Sequence, residues 1–291
     1  MNFRLLPEGT TGVLSGRAFS CEVILTTVHT LASGSSGNAL VFSYGQTHIL
    51  VDAGISCRRI TTALKTLGLG VEDLDALLIT HTHSDHISGL QTLLKKTAFP
   101  ILASGRTCRE LDYRLAGIRH RLQELPGMAE ISLGQCMVTG FPTSHDAPGS
   151  FGYRLESNDG SLGILTDTGY VTPEAREVLL GVDTAVLETN HDVEAVRSGP
   201  YPYSLKARIL GREGHLCNED AAEFAAELAE KGTSELILAH LSQENNTPAM
   251  ARNAVERALS ARGLAPLVSV APRSELSDPH IIRRQEAVCR K

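Results

Sequence analysis

Short apolar runs of strand length alternate along this chain with longer segments whose apolar residues recur at helical spacing. Strands are expected at 22–29, 38–44, 47–51, 76–80, 100–103, 135–141, 151–157, 162–165, 184–188, 235–239 and 267–270. Helices are expected at 57–67, 86–96, 105–116, 173–180, 203–212, 218–231 and 248–261. Asn218 reads as the cap of its helix, Glu219 and Asp220 charge its first turn, and Gly232 closes it. Two β-rich halves, each accompanied by helices, predict a layered α/β body with its sheets packed face to face. No Pro-, Gly- or Ser-rich linker divides it, so one domain over residues 21–272 is expected. Residues 1–20 read as an N-terminal extension that is disordered, a flexible arm or a mis-assigned start, and residues 273–291 as a C-terminal tail, loosely ordered around Ile281-Ile282-Arg283-Arg284.

The composition supports a large core: 291 residues, 42% hydrophobic. No apolar run approaches the roughly 18–20 residues that span a bilayer, so no membrane partner is expected. The first ten residues lack an apolar signal core followed by small cleavage residues. Cys21, Cys57, Cys108, Cys136, Cys217 and Cys289 are scattered, with no Cys-X-X-Cys pair. That argues against a zinc ribbon or disulfide framework and for a reducing cytoplasm. A net charge of −6 does not advertise a nucleic-acid binder. Positive charge is locally dense, however, at Arg106, Arg109, Arg114, Arg119 and Arg121, beyond Lys95 and Lys96. The stretch reads either as a basic rim that steers a polyanion or as a solvated helix face laced with ion pairs. With no Trp and 4% aromatics, sequence-specific readout of single strands is not expected.

The chemistry concentrates in His81-Thr82-His83-Ser84-Asp85-His86, between the apolar run Leu74–Thr80 and a segment of helical spacing. On an extended segment, side chains two apart point the same way, so His81 and His83 can grip one metal. Once a helix begins, Asp85 and His86 turn aside and can serve a second, neighbouring ion. Imidazole nitrogen with carboxylate oxygen suits zinc, manganese or iron.

This His-X-His-X-Asp-His run resembles the metallo-β-lactamase superfamily, and the resemblance covers roughly residues 22 to 265. Further motifs follow in family order, each at the end of an apolar run: Asp52 in Leu50-Val51-Asp52-Ala53-Gly54, His145 in Thr143-Ser144-His145-Asp146, Asp167 in Leu165-Thr166-Asp167-Thr168-Gly169, and His240 in Leu238-Ala239-His240-Leu241-Ser242. The resemblance implies a four-layer αββα sandwich with two divalent metal ions (Zn, Mn or Fe) in the cleft where the sheet ends meet. It implies that His81, His83 and His145 hold the first ion, that Asp85, His86 and His240 hold the second, and that Asp167 bridges them. Asp52 would accept a hydrogen bond from a ligand histidine or from the loop itself, and Asp85 would also take a proton from the attacking water. Ala32–Ala39, Leu187–Asp192 and His240–Asn246 are similar to the bacterial YycJ/WalJ type, a cytoplasmic group associated with exonuclease action on nucleic acid.

A Gly-His pair like Gly214-His215 serves in transfer-RNA processing relatives as the donor to the leaving oxygen, paired with a glutamate. The resemblance therefore implies His215 as general acid, oriented by Glu188. A capping role for His215 is the alternative, and His191 is a second candidate donor or substrate contact. Ser35, Ser36 and Asn38, in a glycine-containing loop, are candidate substrate contacts, as is Asn245. His29, His48, His120 and His280 carry no motif and read as structural or solvent-facing.

Three functions compete. The first is a two-metal hydrolase of phosphodiesters, a DNA or RNA exonuclease. The second is a small-molecule hydrolase on the same site, acting on a cyclic phosphodiester or a thioester. The third is a non-catalytic metal-binding regulator. A complete ligand set speaks against the regulator. A proton donor speaks against thioester hydrolysis, because an alkoxide leaving group profits from protonation more than a thiolate does. The sequence leaves the oligomeric state open.

Overall fold

A computed structural model describes residues 25–284, with fourteen strands in two seven-stranded sheets among them. The first sheet holds β1 (Thr26–Ala32), β2 (Ala39–Tyr44), β3 (Thr47–Val51), β4 (Ala76–Leu78), β5 (Ile101–Ala103) and β6 (Leu122–Glu124), with β14 (His280–Ile282) outside β1. The second runs β13-β12-β11-β10-β9-β8-β7, from β7 (Glu130–Leu133), β8 (Cys136–Pro142), β9 (Phe151–Glu156), β10 (Ser161–Leu165), β11 (Thr184–Glu188) and β12 (Glu235–Ala239) to β13 (Leu267–Val270). Strands β3 to β6 are mutually parallel, as are β10 to β13.

Alternation along these strands explains the layers. In β3, Ile49 and Val51 face the core between the sheets, where they join Val138, Tyr153, Ile164 and Ile237. Leu50, between them, points outward to Ile60 and Leu64 of α1 (Cys57–Thr66). In β12, Ile237 and Ala239 face the same inter-sheet core, while Leu236 and Leu238 meet α8 (Asn218–Glu230) and α9 (Pro248–Ala261). Strands covered on both faces must be apolar at nearly every position, and that is why they stand out as unbroken runs. The body is an αββα sandwich. Among the described residues, no helix is long and apolar enough to cross a membrane.

Four expectations need correction. The single helix at 86–96 is two short turns, α2 (Ser84–Ile87) and α3 (Leu90–Leu93), separated at Gly89. A Cβ on Gly89 would lie 1.9 Å from the Ile55 carbonyl oxygen, so another loop's backbone occupies the space a side chain would need. The cap of α8 is Cys217, whose Sγ accepts from the Asp220 amide, while Asn218 lies inside the helix and exchanges carboxamide hydrogen bonds with Asn246. Strands β6 and β7, and helix α6 (Val193–Ser198), were not anticipated. Residues 281–284, expected to be loosely ordered, include the end of β14: Ile282 pairs with Thr26 and is fully buried between the sheets, and Arg284 bonds Glu156. The expected extension at residues 1–20 lies outside the described residues.

Candidate metal centre

The two parallel strand blocks aim their carboxyl ends at one edge of the sandwich, where open α/β sheets place their ligands. Thr80 and His81 follow β4, Asp52 follows β3, His145 follows β8, Asp167 follows β10, Glu188 ends β11, and His240 follows β12. Asp52, Asp167 and His240 have φ of 59°, 56° and 55°, the left-handed region that short polar residues tolerate best. Each strand thereby turns its last side chain abruptly into the cleft.

Two triads result. Ligand atoms of His81, His83 and His145 lie within 4.8 Å of one another, as do those of Asp85, His86 and His240. Asp167 stands between them: its Oδ1 is 3.6 Å from Nε2 of both His145 and His240, and its Oδ2 is 3.2 Å from His86 Nε2. A surrounding layer of hydrogen bonds sets the rings. His86 Nδ1 donates to Asp52 Oδ2 at 2.7 Å, and Asp52 also accepts from the Thr80 amide and hydroxyl. His145 Nδ1 donates to the Gly214 carbonyl, and His240 Nδ1 to Glu188 Oε1 at 2.9 Å. With Nδ1 occupied in each, Nε2 is left for the cleft.

Three buried atoms find no hydrogen-bond partner there: His81 Nε2, Asp167 Oδ2 and His240 Nε2. Orphaned buried polar atoms are rare, and these three converge. The local field also favours positive charge. Against the cost of burial, Asp167 and Asp52 raise the His86 pKa well above its ordinary value. Likewise against burial, Asp167, Asp85 and Glu188 raise His240 to about 10. His81, held neutral chiefly by burial, has its pKa well below the usual value. A cluster of neutral and cation-seeking imidazoles around buried carboxylates fits divalent cations.

Residues 47–241 match the model of the beta-lactamase superfamily domain. The chain belongs to the metallo-β-lactamase superfamily. It is 38% identical over 234 residues to the exodeoxyribonuclease YycJ of Bacillus anthracis, covering 80% of this chain and 89% of that one. It is 39% identical over 224 residues to the exodeoxyribonuclease WalJ of Streptococcus pneumoniae strain D39, covering 76% and 83%. Among solved structures, the metallo-β-lactamase fold protein YhfI from Bacillus subtilis superposes with a TM-score of 0.67 at 17% identity, over 88% of this chain and all of that one. Like other hydrolases of the superfamily, this chain is a metal-dependent enzyme.

The superfamily scaffold gathers all seven expected ligand candidates, together with Asp52, Glu188 and His215. His215 Nδ1 donates to Glu188 Oε1 at 2.8 Å, and its ring remains 21% exposed. Burial works to raise the Glu188 pKa, but His215 and His240 beside it bring it down to about 2. Ser35 lines the cavity next to His145 and His215, and Ser36 is exposed on the same loop.

Other expected contacts sit elsewhere. Asn38 is buried: its carbonyl oxygen accepts from the Gly34 amide, and its Nδ2 is 3.0 Å from His86 Nε2 and 3.4 Å from Asp85 Oδ2. It meets the cleft-facing nitrogen of His86 and the Asp85 carboxylate, and so touches the ligand candidates themselves. Asn245 is also buried, with its carboxamide against Ser242 Oγ and its carbonyl accepting from the Asp192 amide. His191 is buried beside Asn190, and burial lowers its pKa to about 4. Within the arginine stretch, Arg121 is fastened to the carbonyls of Leu94, Thr97 and Phe99 and lies over the Phe99 ring. Arg114 bonds the Thr82 carbonyl and pairs with Glu110. Arg106, Arg109 and Arg119 keep the exposure of a rim, Arg109 with a long contact of 3.9 Å to Glu124 Oε1. Asp146 went unassigned in the sequence; its Oδ1 lies 3.5 Å from His83 Nε2, and its other oxygen accepts from Arg208.

Proposed function

We propose that the chain is a two-metal phosphodiesterase that removes nucleotides from the end of a DNA or RNA strand, working in the cytoplasm. His81, His83 and His145 would hold one ion and Asp85, His86 and His240 the other, with Asp167 shared; zinc, manganese or iron suits these donors. When bound, such a pair of ions supplies the acidified water and the charge neutralisation that in-line displacement at phosphorus needs. The remaining steps belong to side chains. Asp85, whose carboxylate is held ionised by His240 and His86 against its burial, accepts the proton of the attacking water. His215, fixed at Nδ1 by Glu188, presents its other nitrogen to the cleft and gives a proton to the departing alkoxide.

The observation that carries this reading is the Glu188–His215 pair beside the metal cluster, since a leaving-group donor is superfluous for a thiolate and for a non-catalytic regulator. The exonuclease names of YycJ and WalJ support the polymeric substrate. A small cyclic phosphodiester is the second reading, favoured by the net charge of −6 and by the anchoring of Arg114 and Arg121. The test offers manganese- or zinc-loaded protein end-labelled single- and double-stranded DNA and RNA beside a cyclic dinucleotide. Stepwise shortening of a labelled strand is expected, together with two ions per chain by elemental analysis. Turnover of the cyclic compound alone would overturn the polymeric reading.

A further inference from the structure

A groove leads away from His145 and His215 along α7 (Tyr203–Ile209). Its inner part, about 150 Å³, is bordered by Ser35, Tyr201 and Arg208, and its outer part, about 650 Å³, by Tyr170 and Arg212. Asp146, Arg208 and Glu213 line both parts, so the two adjoin. We infer that this groove, and not the arginine-rich helix 105–114, carries the strand of nucleic acid next to the scissile phosphate, with Arg208 meeting a phosphate and the Arg212–Tyr170 pair receiving a base.

Three observations support the assignment. First, cations and aromatic rings line the groove together. The Arg212 guanidinium lies 4.7 Å from the centroid of the Tyr170 ring, and Tyr203, at the start of α7, is 87% exposed. The chain has six tyrosines and no Trp, and two of the six, Tyr170 and Tyr201, line the groove. Flat side chains interleaved with positive charge suit a strand of stacked bases and phosphates better than a compact anion.

Second, the platform is built on the backbone of the metal centre. Tyr170 is three residues past Asp167, and a Cβ on the intervening Gly169 would lie 2.1 Å from the Arg212 carbonyl oxygen. The Gly169 amide bonds the Ser144 carbonyl, and the Ser144 hydroxyl bonds that of Arg212. Tyr170 and Arg212 are therefore tied to the loops that bear Asp167 and His145. Third, Arg208 is preset. Asp146 holds its Nε, which leaves the terminal nitrogens of a half-exposed guanidinium for a second anion. Two exposed carboxylates line the groove: Asp146, engaged by Arg208, and Glu213, which opposes the arginines.

The inference rests on the nucleic-acid reading, and the experiment separates the two. Arg212→Ala and Tyr170→Ala are compared with the parent on a labelled oligonucleotide of about twenty residues and on bis(p-nitrophenyl) phosphate, with metal content and melting temperature measured for each. Arg212→Ala and Tyr170→Ala are each expected to raise the oligonucleotide KM roughly tenfold, from one lost stacking contact, and to leave most of its salt dependence, which phosphate contacts such as that of Arg208 set, in place. Arg212→Lys should restore only part of the KM, because an ammonium lacks the flat face of a guanidinium. Glu213→Gln should act in the opposite direction and lower KM. An unchanged oligonucleotide KM in Arg212→Ala, with the parent cleaving the strand, overturns the groove alone. An equal loss on bis(p-nitrophenyl) phosphate also overturns it, because the damage would then lie at the metals. A parent that cleaves bis(p-nitrophenyl) phosphate but no polynucleotide overturns the functional reading and the groove together.

Discussion

Glu188 serves two imidazoles with one oxygen: Oε1 accepts from both His215 and His240, while Oε2 accepts from the Thr168 amide. Replacing either histidine tests a single role, whereas replacing Glu188 tests both. His215→Ala should keep its metal but lose about 10²- to 10⁴-fold in turnover of an ordinary phosphodiester. A nitrophenyl ester, which needs little protonation, should lose far less; equal losses on both would remove the acid role. Glu188→Gln should show that loss and, in addition, bind metal roughly 10- to 100-fold more weakly, because His240 loses its orienting carboxylate. At this scale the sequence was informative where chemistry sits at the end of an apolar run, as it does for His81, His145, Asp167 and His240. It was uninformative where direction matters. Asn38 and Asn245 are polar letters in loops, and nothing in a loop's composition says that a carboxamide points inward. The Arg208–Asp146 contact joins residues 62 apart, beyond any local signal.

Between residue and fold, the β1–β2 loop, the β3–α1 loop and the segment from α2 to Gly89 are zipped together by backbone bonds. The Asn38 amide bonds the Asp85 carbonyl, Ala53 bonds that of His86, and the Gly89 amide bonds that of Ala53. These bonds set Asp85 and His86 at the cleft, and they need bare backbone at Gly89. Gly89→Ala should destabilise the fold by about 1–3 kcal/mol, the usual cost of overpacking, and weaken metal binding with it. Thermal unfolding and metal titration check both, and a variant as stable and as tightly loaded as the parent would refute the zipper. The apolar period runs straight through Gly89, so the sequence suggests a continuous helix; periodicity reports burial and is silent about a neighbouring loop's need for space. The unanticipated strands have a different cause. β6 and β7 are short and largely exposed, so they carry few apolar letters to mark them.

Across the whole molecule, the ligand candidates come from both halves of the sandwich: His81, His83, Asp85 and His86 from the first sheet, His145, Asp167 and His240 from the second. Metal bound at this seam would tie the sheets together as well as serve catalysis. Ligand held at about a thousandfold above its dissociation constant adds roughly 4 kcal/mol of stability, or about 10 °C in a chain of this size. Chelation should lower the melting temperature by that order, and readdition of zinc or manganese should restore it. A melting temperature indifferent to chelator, in protein shown by elemental analysis to have lost its metal, would separate the seam from the stability of the fold.

The pairing of Thr26 with Ile282 has a consequence for how the domain can be joined to other things. β1 runs from Thr26 towards the Ser33–Asn38 loop behind His86, a path of about 20 Å at the usual rise of a strand. The first and last residues of the sandwich thus leave it side by side, at the pole opposite the cleft. A tether, an affinity surface or a second domain fused at either point would stand clear of an incoming substrate. Linking the two points and reopening the chain at the exposed Gly263 turn would give a circular permutant whose new ends again lie at the surface.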